Sequence, residues 1–327
     1  MDFGFALPPR GPMATPENIA ILAQRGEAMG FGILAVTDHI IFPTSIKSTY
    51  PGGASGQYYA AGESQGEYLE PLALLSFLAG ITSSAKLLTA IMVLPNRPPI
   101  LAAKMLATID VLSKGRVIAG CGVGWMREEF EALGSPPFEK RGAVANEYIR
   151  AFRELWTQDD PTFEGTYCRF ANVEFAPKPV QKPHPPIWTG GESPAALRRA
   201  GRLADGWYPF TQDAHVPLGT SEQFAEYAAQ IKQHAQEAGR DPSSLDFTYD
   251  ARWYNEQEAE RLPDGARRTF TGTPVQIADD VKRYAEVGVR HIMLPMVVRR
   301  PGVTVQQSLE RMERFVTKVM PLVSVAQ

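Results

Sequence analysis

Short apolar runs of strand length alternate with longer segments whose apolar side chains recur every three or four residues, from one end of the chain to the other. The runs fall at 2–7, 33–38, 87–94, 116–121, 186–189, 206–210, 246–253 and 290–296. Helical patterns fall at 16–29, 69–79, 98–112, 127–133, 143–156, 194–203, 221–238, 274–287 and 304–319. The segment 98–112 is typical, with Ile100, Leu101, Met105, Ile109 and Leu112 on the helical period. Start and stop residues agree with the pattern. Thr15 precedes Pro16, Ser193 precedes Pro194, and Gly30, Gly239 and Gly288 follow the helices they end. Eight such alternations predict an α/β fold, the parallel (β/α)8 TIM barrel. A doubly wound open sheet also alternates, but no GxGxxG follows the first run, which weighs against it.

Three segments exceed a minimal barrel. Residues 43–66 form a long stretch rich in Gly, Ser and Tyr, 162–175 alternate like a hairpin turning at Glu164 and Gly165, and 254–272 are charged and carry Pro263, Asp264 and Gly265. The first and third follow the second and seventh strands. They are predicted as insertion loops at the C-terminal mouth, where barrels place their sites.

Bulk properties narrow the function. A single domain over 1–327 suits a barrel of this length, and 44% hydrophobic residues supply its core. The net charge of −3 argues against a nucleic-acid or anionic-membrane surface. Cys121 and Cys168 make no disulfide framework, so a cytoplasmic protein is expected. The N-terminus lacks a basic and apolar leader pattern, and the apolar run at 87–94 is too short to span a bilayer. The five histidines form no HxH, HExxH or Cys/His cluster, so no metal is expected. The absence of a P-loop and of GxSxG weighs against phosphoryl transfer and serine hydrolysis.

Candidate chemistry gathers at strand ends. The segment 117–134 runs from an apolar strand through Gly120, Gly122 and Gly124 into a charged helix. Glycines there let a backbone or a flat ligand approach, or they only form a tight turn. Asp38 and His39 end the second strand; they suit proton transfer, or they cap a turn and pack. Gly190 and Gly191 precede a helix start, whose N–H groups suit a phosphate, although Ser193-Pro194 is also an ordinary cap and Glu192 opposes an anion. Ala90, Ile91 and Met92 bring an apolar surface to the mouth, with Asn96 and Arg97 as the first polar groups beyond it. Arg141 and Tyr148 near a helix start offer a second phosphate contact or a solvated helix end.

Taken together, TDHIIFP at 37–43, TAIMVLPNRPPILAAK at 89–104, DVLSKGRVIAGCGVGWMREEFEALG at 110–134, FEGTYCRF at 163–170, KPVQKPHPPIWTGGESPAALRRAGRLADGW at 178–207 and GTPVQIADDVKRYAEVGVRHIMLP at 272–295 resemble the luciferase-like monooxygenase superfamily. The similarity is greatest to its branch of probable F420-dependent oxidoreductases. The resemblance implies a deazaflavin (F420) or FMN ring at the mouth, backed by a non-prolyl cis peptide within Ala90-Ile91-Met92. It implies a cofactor phosphate on Gly190 and Gly191 and an Asp38-His39 pair by the ring. Gly122, Gly124, Asn96, Arg141 and Tyr148 complete the expected cofactor set. Trp125, Trp207, Tyr208 and Phe210 are expected to line the substrate pocket. Basic residues for an F420 tail would be Arg97, Arg127, Lys140 and Arg141. The resemblance further implies a homodimer and, for FMN, a separate reductase. One departure is informative. Trp125 stands where sugar-phosphate dehydrogenases of the family have a glutamate, and Pro43 where they have a tryptophan, so that activity does not transfer. A colourless phosphate-binding lyase or isomerase, or a non-catalytic flavin carrier, are the competing classes.

Overall fold

The computed structural model describes residues 1–51, 67–209, 218–298 and 302–324. Phe210 and most of the stretch 43–66 therefore lie outside the described residues. In chain order the strands are β1 (Asp2–Ala6), β2 (Ile33–Val36), β3 (Lys86–Thr89), β4 (Met92–Val93), β5 (Val117–Gly122), β6 (Phe163–Glu164), β7 (Arg169–Phe170), β8 (Ile187–Gly190), β9 (Gly206–Tyr208), β10 (Asp246–Asp250) and β11 (His291–Met293). The helices are α1 (Pro16–Ala28), α2 (Pro71–Ile81), α3 (Pro99–Leu112), α4 (Arg127–Leu133), α5 (Arg141–Thr157), α6 (Pro194–Leu203), α7 (Ser221–Glu237), α8 (Pro274–Glu286), α9 (Val305–Lys318) and α10 (Met320–Ser324).

The expected barrel is present. All-parallel pairing runs β1, β2, β3, β5, β8, β9, β10, β11 and back to β1. Helices cover the outside. The third predicted strand is broken at the cis peptide Ala90–Ile91. Past that point β4 pairs with β5.

Side-chain alternation sorts the two faces. Phe3, Phe5, Leu34, Val36, Ile187, Trp207, Phe247 and Ile292 join the core between strands and helices. Ile33, Ala35, Leu88, Ile118, Trp188, Tyr208 and Met293 fill the barrel interior. Large interior residues are matched to glycines. A Cβ on Gly206 would lie 2.5 Å from the Trp188 ring, and one on Gly4 would lie 2.6 Å from Met293 Sδ. Trp188 in turn lies beside His291, the rings tilted by 39° with centroids 5.0 Å apart.

Local chemistry starts the helices where the sequence places them. Thr15 and Ser193 cap α1 and α6, each followed by proline. Thr220, Thr273 and Thr304 make reciprocal capping boxes with Gln223, Gln276 and Gln307. The predicted hairpin is β6–β7. The buried Glu147 of α5 holds its turn by accepting from the N–H groups of Thr166, Tyr167 and Cys168 at 3.0, 2.6 and 2.6 Å. The stretch 254–272 is packed onto α8: Arg267 makes a bidentate pair with Asp280 at 2.8 and 2.6 Å, and Phe270 is buried against Tyr249 and Tyr284. It thus buttresses β10 from outside. Among the described residues no helix is long and apolar enough to cross a membrane.

Glu27 of α1 fastens the approach to β3 by accepting from the N–H groups of Ser83, Ser84 and Ala85. Partial burial pushes its carboxyl up, but the donors Ala85, Ser84 and Ser83 outweigh this and hold its pKa at about 2 instead of 4.5. A depressed folded-state pKa stabilises the fold above about 4.5, and that contribution fades as pH falls towards 2. Glu27→Gln is therefore expected to be less stable than the wild type at pH 7, with the gap closing below pH 4.5. Urea unfolding at several pH values measures it; a gap independent of pH would contradict the assignment.

Candidate active site

The C-terminal ends of the strands surround a cavity of about 440 Å³, within the range of small-molecule sites (roughly 300–1,000 Å³). Its bed is Ala90 and Ile91 from the break in the third strand, with Gly122 of β5, Gly190 of β8 and Tyr208 of β9 around them. Val93, Val123, Trp125 and Tyr50 add apolar wall, while Asp38, His39, Arg10, Arg252 and Glu192 bring charge.

Ile91 explains Gly190. A Cβ there would sit 2.0 Å from Ile91 Cδ1, whereas one on Gly122 would make ordinary contact with Ile91 Cγ2 at 3.4 Å. The isoleucine thus lies in a slot that Gly190 leaves open. Gly120 serves the scaffold, because its Cβ would meet the Thr89 carbonyl oxygen at 1.9 Å. Gly124, at φ 79°, faces Val93 and Phe130. The close approach expected at this strand end is therefore made first by the protein's own third strand.

Asp38 and His39 are adjacent in sequence but bind different partners. Asp38 accepts from Arg97 at 2.6 and 2.8 Å and from the Val93 N–H at 2.7 Å. Arg97 also donates to Glu70, the cap of α2, at 2.6 Å. Burial alone would lower the guanidinium pKa, but Asp38 and Glu70 raise it above the usual arginine value. The Asp38 oxygens thus face a permanent cation and a backbone donor, and the carboxylate anchors β4. Arg97 is likewise unavailable as a tail-binding residue.

His39 is paired instead with Glu129, a residue the sequence reading passed over. Nδ1 lies 3.1 Å from Glu129 Oε2, and both side chains are buried, at 6% and 2% exposure. Oε1 of Glu129 accepts from the Ile40 N–H at 2.9 Å. The neighbouring Glu128 accepts from the N–H groups of Lys47 and Ser48 at 2.7 and 3.0 Å, and from Ser48 Oγ at 2.7 Å. The two carboxylates of α4 thus staple the segment 39–48 across the mouth. Rings of Phe42, Tyr68 and Trp125 surround the imidazole at 4.5, 5.6 and 6.3 Å. Thr37 Oγ1 and Tyr68 OH share a hydrogen bond behind it.

Several expected site residues stand elsewhere. Trp207 points away from the cavity into the outer core beside Phe224, and its Nε1 donates to the Gly191 carbonyl at 3.0 Å. It supports the glycine turn from behind and is not among the described residues that line this cavity. Met92 is fully buried with the outer core. Asn96 accepts from Ser135 Oγ at 3.2 Å, off the cavity wall. Arg141 lies over the Phe138 ring at 4.1 Å and donates to its carbonyl, and Arg127 pairs with Glu139 at 2.6 Å. Tyr148 is buried on α5, where burial, with Cys168 and Glu147 nearby, pushes its phenol up to about 12. None of Met92, Asn96, Arg141 and Tyr148 lies among the described wall residues. Arg10, Thr37, Val93 and Arg252 do line it and were missed.

The arrangement fits a flat redox ring with an acidic tail. The ten-residue α6 begins beside Gly190 and Gly191, its first-turn N–H groups lack intrahelical partners, and Ser193 takes only that of Ala196. Glu192, buried on the same wall, restricts where an anion could rest. Among the described residues no cluster of three or more His, Cys, Asp and Glu could hold a metal ion.

Residues 1–261, all the barrel strands but the last, match the family model described as luciferase-like monooxygenase. An uncharacterized protein of Mycobacterium tuberculosis is 30% identical over 287 residues, covering 88% of this chain and 96% of the relative. The FMNH2-dependent dimethylsulfone monooxygenase of Pseudomonas fluorescens is 30% identical over 349 aligned residues, covering 92% and 85%. Among solved structures, an F420-dependent secondary alcohol dehydrogenase in complex with an F420-acetone adduct superposes with a TM-score of 0.74 at 19% identity, covering 98% of each chain. The oxygenating constituent of 3,6-diketocamphane monooxygenase from Pseudomonas putida, in complex with FMN, gives 0.70 at 14%, again covering 98% of each. With its closed barrel, its broken third strand and a match that runs through nearly every strand, the chain belongs to the luciferase-like monooxygenase family.

Proposed function

We propose that this protein is an oxidoreductase that binds FMN or F420 at the barrel mouth and acts on a small organic substrate. The observation that carries this reading is the cavity bedded on Ala90, Ile91, Gly122, Gly190 and Tyr208, with His39 on its wall. When bound, such a cofactor supplies the hydride or oxygen chemistry. The chain's own work is positional. Ile91 and Val93 support one face of the ring, and Trp125, Tyr50 and Tyr208 keep water from it. The N-terminus of α6 with Gly190 and Gly191 attracts the acidic tail, and Arg10 adds positive charge to the wall together with Arg252, which pairs with Asp250 at 3.0 Å. His39 exchanges a proton with the substrate through its ring nitrogen.

The 30% identity with an FMNH2-dependent enzyme over 92% of the chain favours a second reading, a monooxygenase served by a separate flavin reductase. Arg97 is committed to Asp38 in a buried pair, and Arg127 and Arg141 are engaged at the surface by Glu139 and by Phe138, which lowers the charge available for an F420 tail. Titration with FMN and with F420, each followed by quenching of protein fluorescence, tests both. One of the two is expected to bind saturably, in the micromolar range or tighter; two flat titrations would end the proposal and leave the lyase or isomerase class.

A homodimer belongs to the same reading, because Phe77, Ile100, Leu101 and Leu112 leave apolar area exposed on α2 and α3. A monomeric mass by light scattering would remove it. A cytoplasmic location is supported by the two free, buried thiols of Cys121 and Cys168.

A further inference from the structure

The carboxylate of Glu129 meets His39 at the ring nitrogen Nδ1. An ionised carboxylate only accepts hydrogen bonds, so a contact of 3.1 Å with Nδ1 requires the proton to be on that nitrogen. The carboxylate is itself fixed, because its other oxygen takes the Ile40 N–H at 2.9 Å and lies 3.4 Å from that of Ile41. Both side chains are buried, with His39 at the wall of the cavity and Glu129 behind it. The imidazole ring is also held in place by the surrounding rings of Phe42, Tyr68 and Trp125.

We propose that Glu129 is the positioning residue of His39: it keeps the proton on Nδ1 and thereby makes Nε2 the nitrogen that accepts or returns the substrate's proton. This rests on the reading of His39 as the proton partner of the site. A buried carboxylate behind an imidazole sets both ring orientation and tautomer, and an amide in its place reverses the tautomer. The Glu129–Ile40 contact by itself would be a loop anchor; the Nδ1 contact is what separates the two roles.

The experiment uses the full chain labelled with 15N-histidine, without cofactor, and reads the ring nitrogens by long-range 1H–15N correlation. His39→Asn identifies the His39 signals. Wild-type His39 is expected as the Nδ1–H tautomer at neutral to mildly alkaline pH. In Glu129→Gln the amide oxygen keeps the Ile40 N–H, the amide NH2 faces Nδ1, and the pattern is expected to switch to Nε2–H. Affinity for FMN or F420 is expected to stay within about threefold, since Glu129 does not line the cavity. An Nε2–H wild type overturns the proposal without any variant, which covers the case of a variant that does not fold. An Nδ1–H signal unchanged in Glu129→Gln also overturns it and leaves Glu129 as a loop anchor. Loss of the functional reading is distinguishable: neither cofactor would then bind the wild type, whatever the tautomer.

Discussion

Replacing Arg97 by leucine is expected to destabilise the protein by about 3–5 kcal/mol, the usual loss when one member of a buried ion pair is removed. Asp38 would be left in a site where it is 6% exposed, with the Val93 N–H as its remaining donor among the described residues. Solvation cannot recover much there, and Glu70, the other partner, is only partly buried. The effect is expected to reach the site, because Arg97 ties the end of β2, through Asp38, to the cap of α2. Urea unfolding measures the loss. Combining Arg97→Leu with Asp38→Asn should restore part of the stability, since the stranded charge is then gone. A loss under about 1 kcal/mol for Arg97→Leu would mean that the pair does not hold β4 in place.

Gly190→Ala is expected to abolish or greatly weaken cofactor binding, by at least tenfold, while leaving a folded protein. The new methyl would meet Ile91 Cδ1 at 2.0 Å, the far end of a side chain that can rotate. No left-handed backbone angle is recorded at Gly190, so space and not conformation is the constraint. Overpacking of this kind costs about 1–3 kcal/mol. Ile91 would then swing into the cavity whose bed it forms. Binding titrations on Gly190→Ala and on Gly190→Ala with Ile91→Ala decide the matter. The second change should return much of the affinity, and failure to do so would place the ring elsewhere. The methyl at Gly190 would also lie 3.1 Å from the Tyr208 carbonyl oxygen, a small crowding, whereas one at Gly120 would strike the Thr89 carbonyl oxygen at 1.9 Å.

The barrel was legible because strand and helix periods alternate cleanly and the capping residues agree with them. The break in the third strand was not legible from apolar periodicity, since Thr89 to Leu94 reads as one continuous run; only the family resemblance pointed to Ala90-Ile91-Met92. Trp207 and Tyr208 could have been separated by parity alone. Gly190 pairs with Tyr208 and Thr189 with Trp207, so a cavity at Gly190 places Tyr208 inside and Trp207 outside. Asp38 and His39 invited a paired reading because they are neighbours, yet their partners, Arg97 and Glu129, come from distant parts of the chain. Glu129 was hidden for an ordinary reason. Acidic residues in the first turn of a helix are favoured by its dipole, so Glu128 and Glu129 pass as a solvated helix start.

The depth of the chamber is set from beneath. The Trp188 indole occupies the level below the tricycle's proposed seat, and it fits only because Gly206 has no side chain. A smaller residue at 188 would therefore lower the floor without altering the rim, the imidazole or the glycine turn. Selection for bulkier substrates has a route that leaves the reaction machinery untouched.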